Sequence, residues 1–182
     1  MINFRKLHRK SAPIIFLPLL LSALTGVAYR LGRTWFGIPG ELANFLMTVH
    51  EGRYLGKPLV PVYVLLVGLG LLGMIVTGLT MIKWQRKTSK SNPKRDWRWF
   101  HRLLAPIAFL PLFVSAITGI AYRLGRAWFG LSVQQASILL RLHQGSYLGN
   151  FQAVYVLLIG LSLLALLITG IQMTGIFRKF RV

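Results

Sequence analysis

The sequence predicts an all-α polytopic membrane protein, a bundle of four transmembrane helices, and three observations lead to this fold class. Apolar residues make up 54% of the 182 residues, whereas only 14% are charged. The apolar residues gather into four long runs, and a soluble domain of this size has no interior large enough for them. The second half of the chain also repeats the first half.

The four apolar runs are the predicted membrane spans, at about residues 11–31, 60–82, 104–124 and 153–176. At a rise of about 1.5 Å per residue, each run is long enough as a helix to cross about 30 Å of hydrocarbon. Lipid offers no partner to backbone polar groups, so we expect all four runs to be helical. None of them alternates between polar and apolar residues as a barrel strand does.

One two-helix unit is used twice, over about residues 4–82 and 97–174, within a single membrane domain that covers residues 1–182. The segment AYRLGR at residues 28–33 recurs at residues 121–126, and many other residues match at the same spacing. A repeat of this length marks one structural unit that packs against its own copy. Two parallel copies predict a pseudo-twofold axis along the membrane normal.

The distribution of basic residues predicts the orientation in the membrane. The chain has 22 Lys and Arg, and 15 of them lie in the N-terminal segment, the segment 83–102 and the C-terminal tail. The positive-inside rule therefore places both termini and the basic linker 83–96 in the cytoplasm. Because these charges flank the apolar runs, we expect the lipid bilayer, with its anionic headgroups, to be their partner, and not nucleic acid.

The composition also excludes several classes of function. The chain has no cysteine, which excludes disulfides, thiolate metal sites, iron–sulfur clusters and covalent c-type haem. Its three acids, Glu41, Glu51 and Asp96, lie outside the apolar runs, so a carboxylate proton relay or carboxylate-pair hydrolysis lacks its parts. The segments 39–51 and 132–144 are predicted to be short amphipathic helices near the outer interface, ended by Gly52 and Gly145.

The four histidines are the candidate cofactor ligands, and they occupy matched positions in the two units: His8 with His101, and His50 with His143. Neutral imidazole is the usual ligand of b-type haem, and it is costly near hydrocarbon without a partner. Two ligands of one iron lie about 4 Å apart, so an inner and an outer histidine cannot share a metal. The predicted pairs are therefore His8/His101 and His50/His143, one near each face.

Four arginines end spans one and three on the outer side, and guanidinium groups bind the anionic propionates of haem in a bidentate way. They are Arg30, Arg33, Arg123 and Arg126. The same arginines are equally consistent with snorkelling to lipid headgroups. Interfacial histidines also bond lipid phosphates or carbonyls, so the residues alone leave a cofactor-free protein open. Zinc is disfavoured, because each side offers only two histidines and no nearby thiol or acid completes a ligand set.

Small residues recur in the middle of the spans as Thr-Gly pairs, where glycine permits the close approach of a neighbouring helix or of a flat macrocycle. Plain helix packing explains them at least as well. The four pairs are Thr25-Gly26, Thr77-Gly78, Thr118-Gly119 and Thr169-Gly170.

These segments resemble the PepSY-associated transmembrane helix family. The likeness rests on Leu7-His8-Arg9 before span one, on Val49-His50-Glu51-Gly52-Arg53 before span two, and on their copies Phe100-His101-Arg102 and Leu142-His143-Gln144-Gly145. The resemblance implies a bacterial inner-membrane protein that holds two b-type haems through these histidines, like ferric or siderophore reductases. Larger relatives carry an extracytoplasmic PepSY domain, which the short outer loops here cannot hold, so the chain resembles a minimal form and a substrate does not carry over.

The leading hypothesis is a dihaem b-type electron-transfer protein that passes electrons between a cytoplasmic-side and an outer-side haem. Its activity would be that of a ferric or siderophore-iron reductase, with a ferric siderophore or a quinone as redox partner. The alternative is a cofactor-free structural or assembly subunit of a larger membrane complex, since no soluble domain, flavin site or acid cluster is evident. A transporter suits the duplicated architecture but lacks buried ionisable groups other than histidine.

Overall fold

The computed structural model describes residues 3–82 and 96–175, and within these ranges it contains helices and no strand. Nearly all of the predicted linker 83–96, and the basic C-terminal tail, lie outside the described residues. The four long helices are α1 (Phe4–Leu31), α3 (Val60–Leu79), α4 (Trp97–Ala127) and α6 (Gln152–Thr174). The two short helices, called outer after the orientation that the basic residues predict, are α2 (Gly40–Glu51) and α5 (Val133–Gln144). A π-helical turn at Gly32–Phe36 and 3₁₀ turns at Arg53–Leu55 and Ser146–Phe151 connect them.

All four long helices are long and apolar enough to cross a membrane. Even α3, the shortest, has 20 residues, which at about 1.5 Å per residue matches the thickness of the hydrocarbon core. The prediction of an all-α protein with four membrane-spanning helices is therefore confirmed. The chain is a multi-pass membrane protein whose surroundings are a lipid bilayer.

Helices α1 and α4 begin well before the apolar runs at residues 11 and 104. The Asn3 side chain accepts a hydrogen bond from the Lys6 backbone N–H at 3.0 Å, and the Asp96 side chain accepts one from Trp99 at 2.8 Å. These N-caps satisfy backbone donors of the first turn, so the helix continues beyond the segment that hydrocarbon requires. His8 and His101 consequently lie on regular helix and keep a defined direction relative to the spans.

The outer helix α2 turns one side towards the bundle. Ala43 is buried, and Met47 and His50, which follow at helical spacing, line a cavity inside the bundle. Leu42 and Phe45, on another side of this helix, are exposed. The helix therefore presents these two apolar side chains to the surroundings, and Met47 and His50 to the interior.

The four spans form a ring. Helix α1 packs on α3 of its own unit and on α6 of the other unit, and α4 packs on α6 and on α3. Helices α1 and α4 therefore lie diagonally opposite each other. Where the units meet, Gly68 on α3 receives the Ile120 side chain, and Gly160 on α6 receives Val27. A Cβ at either glycine would collide with that side chain, so these small residues allow the spans to approach closely.

Candidate cofactor site

Two cavities follow one another along the middle of the bundle. The outer cavity, of about 240 Å³, is lined by His50 and His143 among other residues, and the inner cavity, of about 90 Å³, by His8 and His101. Each pair that the sequence predicts thus borders a single cavity. One residue from each span lines both cavities, and these four residues separate them: Leu19, Leu71, Leu112 and Leu163.

The outer imidazoles lie close together beside their cavity, with their ring planes tilted by 58°. The ring centres of His50 and His143 are 6.3 Å apart. Two imidazoles that bind one metal at about 2 Å per bond have their ring centres roughly 6 Å apart. The outer pair therefore stands at the separation of two ligands that share a metal.

The hydrogen bonds of the outer pair determine which ring nitrogen carries the proton. The Nδ1 atom of His50 lies 2.9 Å from the Ser22 carbonyl oxygen, and that of His143 lies 2.8 Å from the Ser115 carbonyl oxygen. A carbonyl only accepts, so each Nδ1–H donates and the lone pair lies on Nε2. Burial also lowers the pKa of His50, which favours the neutral form that can ligate a metal.

The inner histidines also carry the proton on Nδ1, but there a threonine hydroxyl accepts the hydrogen bond. The Nδ1 atom of His8 lies 2.8 Å from Thr77 Oγ1, and that of His101 lies 2.7 Å from Thr169 Oγ1. Each hydroxyl already donates to a backbone carbonyl of its own helix, at 2.6 and 2.7 Å, so its oxygen accepts from the imidazole. All four histidines therefore donate from Nδ1 within their own unit and keep Nε2 available, which is the second-sphere arrangement typical of metal-binding histidine.

The glycines of the Thr-Gly pairs lie against the imidazoles. A Cβ on Gly26 would stand 3.0 Å from His50 Cε1, and one on Gly119 would stand 3.1 Å from His143 Cε1. In the inner cavity, the equivalent distances to His8 and His101 from Gly78 and Gly170 are 3.4 and 3.5 Å, which are ordinary contacts. The sequence offered a helix or a macrocycle as the neighbour of these glycines, and the structure places a histidine ring there.

The inner and outer histidines lie at different positions along α1. His8 lies in the first turns of α1, whereas the His50 ring reaches Ser22 and Gly26, far along the same helix. Roughly 20 Å of helix rise separates His8 from Ser22, so one metal cannot use both His8 and His50. The outer histidines thus insert well into the bundle, deeper than the interfacial position expected for α2 and α5.

The four predicted arginines fall into two classes. Arg30 and Arg123 line the outer cavity. Arg33 and Arg126 do not line it; they donate to the Ile38 and Leu131 carbonyl oxygens of their own loops, at 3.3 and 2.7 Å. The structure therefore brings two of the four arginines to the candidate site and places the other two in loop-closing contacts.

Comparison with known protein families agrees with this architecture. A family model described as the PepSY-associated TM region matches residues 31–137, which is more than half of the chain. The chain belongs to this family. The matched segment of this PepSY-associated protein contains one histidine of each pair, His50 and His101. Comparisons with curated proteins and with solved structures give no match.

In chemistry, though not in cavity volume, the paired imidazoles of this PepSY-associated protein suit a b-type haem. The imidazoles come in twos, which is the number of axial positions that a tetrapyrrole leaves open on iron. Within residues 3–82 and 96–175, no group of three or more His, Cys, Asp or Glu residues could hold a bare metal ion. Both volumes are below the roughly 300–1,000 Å³ of typical ligand pockets. A macrocycle must therefore displace side chains, chiefly in the inner cavity, where Phe16 and Phe109 form part of the wall.

Sequence reasoning assigned several residues of the candidate site no role in it. Thr77 and Thr169 accept from the inner histidines, Glu51 and Gln144 contact the cavity arginines, and further matched pairs line the outer cavity. The repeat itself carried a signal, because these residues lie at equivalent positions in the two units. Lining pairs that this comparison would find include Tyr63 with Tyr155 and Ser22 with Ser115.

Proposed function

We propose that this protein is a dihaem b-type electron-transfer protein of the membrane. One haem would bind between His50 and His143, and the other between His8 and His101. The observation that carries the proposal is the state of the four imidazoles, which all donate from Nδ1 and keep Nε2 available, in two pairs that each border one cavity. Bound haem iron supplies one-electron redox chemistry, and the chain binds, orients and insulates it.

The leucine layer supports this assignment. Leu19 and Leu112 are almost completely buried, and with Leu71 and Leu163 they stand between the two cavities. An apolar layer keeps water and protons from crossing the bundle, whereas an electron can cross a short apolar distance. A membrane electron carrier requires such insulation, because a proton leak would dissipate the gradient across its membrane.

We also propose a location, an activity and redox partners for this protein. The protein would lie in the bacterial inner membrane with both termini in the cytoplasm, as the basic residues suggest. The outer site would pass electrons to ferric or siderophore-bound iron, and a quinone is a candidate redox partner at either end. The family membership and the two stacked sites support this function.

Absorption spectra test the proposal directly. We expect purified protein to show a Soret band, spectra that differ between the oxidised and the dithionite-reduced forms, and about two haems per chain by pyridine haemochrome. A colourless protein from haem-replete cells would exclude the proposal.

Single histidine substitutions test the pairing. We expect His50→Ala and His143→Ala to remove the same haem, and His8→Ala and His101→Ala to remove the other. Each pair serves as the control for the other, because the retained haem reports that the bundle has folded. Loss of different haems from His50→Ala and His143→Ala would contradict the pairing.

The alternative function is a cofactor-free structural or assembly subunit of a larger membrane complex. One observation favours it: the inner cavity has a volume of only about 90 Å³. Co-purification of stoichiometric partner proteins without visible absorbance would support this function over the dihaem one.

A further inference from the structure

The lining of the outer cavity is matched between the two units except for one charge. Among the described residues that line it, most equivalent positions carry the same residue, and three carry an apolar exchange such as Met47 for Leu140. The position after the ligand histidine is different. It holds Glu51 in the first unit and Gln144 in the second.

This difference separates the two cavity arginines. Arg123 forms an ion pair with Glu51, across the boundary between the units. Arg30 occupies the equivalent place, and its Nη2 donates to Gln144 Oε1 at 2.8 Å. Both arginines therefore hold a residue of the opposite unit, but only Arg123 is bound to a carboxylate.

The electrostatic consequence is that the two cavity guanidiniums have partners of different charge. Arg123 is paired with the carboxylate of Glu51, which Arg53 also approaches at 3.4 Å. The charge of Arg30 meets a neutral amide, which a carboxylate can replace with a stronger, charge-assisted bond. A carboxylate entering near Arg123 would meet a guanidinium already paired with an acid.

We propose that Arg30, and not Arg123, is the residue that binds a carboxylate in the outer cavity. On the proposed function, to which this inference adds, the carboxylate is a haem propionate. Glu51 then makes the two otherwise matched arginines unequal, because it occupies Arg123 and leaves Arg30 with a neutral partner. Arg33 and Arg126 have no part in this contact, because they hold backbone carbonyls of their own loops.

Haem titration of the detergent-solubilised apoprotein tests the inference, with the affinity of the outer site as the readout. We expect Arg30→Gln to weaken outer haem binding by about tenfold to hundredfold, the contribution of a hydrogen bond to a charged group. The double variant Glu51→Gln/Arg123→Gln, which replaces the ion pair with amides, should lose less, within about fivefold. Arg33→Gln is the matched control, and the haem of the inner site reports correct folding in each variant.

Exchanging the two residues provides the sharper test. In a Glu51→Gln/Gln144→Glu background, Arg30 acquires the acid and Arg123 keeps the neutral amide. We then expect Arg123→Gln to cause the loss of affinity that Arg30→Gln causes in the natural chain. An unchanged affinity in that variant would overturn the proposal.

The dimethyl ester of haem identifies the carboxylate. Its propionates carry no charge, so the affinity ratio between the natural chain and Arg30→Gln should fall close to one. A persisting ratio would mean that Arg30 acts on something other than a haem carboxylate, and would overturn the inference. Failure of the natural chain to bind haem would overturn the proposed function as well. Normal haem binding with equal losses from Arg30→Gln and Glu51→Gln/Arg123→Gln would overturn this inference alone.

Discussion

At the scale of single residues, the two histidine pairs differ in the group that accepts the hydrogen bond from Nδ1. The outer histidines use backbone carbonyls of the adjoining span, and the inner ones use threonine hydroxyls. A backbone acceptor cannot be removed by a side-chain substitution, whereas a threonine can. The two sites should therefore respond differently to mutation around the ligands.

The first prediction concerns the threonine behind His8. We expect Thr77→Val to lower the affinity of the inner site for haem by about tenfold to hundredfold, because the imidazole loses the partner that fixes its tautomer and direction. Haem titration followed by absorbance measures this loss. Thr25→Val is the matched control, since Thr25 donates to its own helix at the same 2.6 Å but contacts no histidine through that hydroxyl. Equal effects of the two variants would contradict the assigned role of Thr77.

The second prediction concerns the glycine beside His50. Gly26→Ala places a Cβ at 3.0 Å from His50 Cε1, so the ring must shift by a few tenths of an ångström relative to His143. We expect loss or a shifted spectrum of the outer haem, with the inner haem retained. Gly73→Ala is the control, because nothing lies within 4 Å of a Cβ there and alanine suits a helix better than glycine. An unchanged outer haem in Gly26→Ala would contradict this packing.

At the scale of elements, each span contributes one leucine to the layer between the cavities. Leu19 and Leu112 are each 3% exposed, whereas Leu17 and Leu110 on the same helices are 59% and 62% exposed and face outward. Position in the helix turn thus separates a leucine that lies between the cavities from one that faces outward. The outer helices serve a different purpose, which is to carry His50 and His143 inward before Gly52 and Gly145 end them.

The third prediction follows from this layer. We expect Leu19→Ala with Leu112→Ala to join the two cavities, to raise the proton permeability of proteoliposomes, and to lower the free energy of unfolding by about 2–5 kcal/mol per leucine. An entrapped pH dye measures permeability, and the thermal midpoint in detergent reports stability. The pair Leu17→Ala and Leu110→Ala removes the same groups from the outward side and should leave permeability unchanged. An unchanged proton permeability in the Leu19→Ala/Leu112→Ala variant would show that these leucines do not form the barrier.

At the scale of the whole molecule, the two units are joined by reciprocal contacts. Spans of different units pack closely at Gly68 and Gly160, which each receive a side chain of the other unit. Arg30 and Arg123 also each contact a residue of the other unit. Neither outer nor inner site is complete within one unit, because each cavity takes one histidine from each. Both candidate sites are therefore formed between the two units.

The fourth prediction concerns orientation. The chain has no cysteine, so a single introduced cysteine reports its own side of the membrane. In spheroplasts, we expect a membrane-impermeant maleimide to label Gln134→Cys, in the outer helix α5, and to leave Phe4→Cys unlabelled until the membrane is permeabilised. Both positions are exposed, and neither substitution removes a basic residue. Labelling of Phe4→Cys in intact spheroplasts would reverse the proposed topology.

The helical class and the four spans could be predicted from the sequence alone, because they depend on the length and polarity of consecutive residues, which lipid imposes segment by segment. The repeat and the family could be recognised from matching residues, and the repeat led to the pairing of the histidines, each pair of which borders one cavity. The tertiary structure decided which side of each helix faces inward. Spans that are apolar on every side carry no hydrophobic stripe to indicate rotation. For that reason the inward face of α2, the acceptor role of Thr77 and the difference between Arg30 and Arg33 became evident only when the helices were packed together.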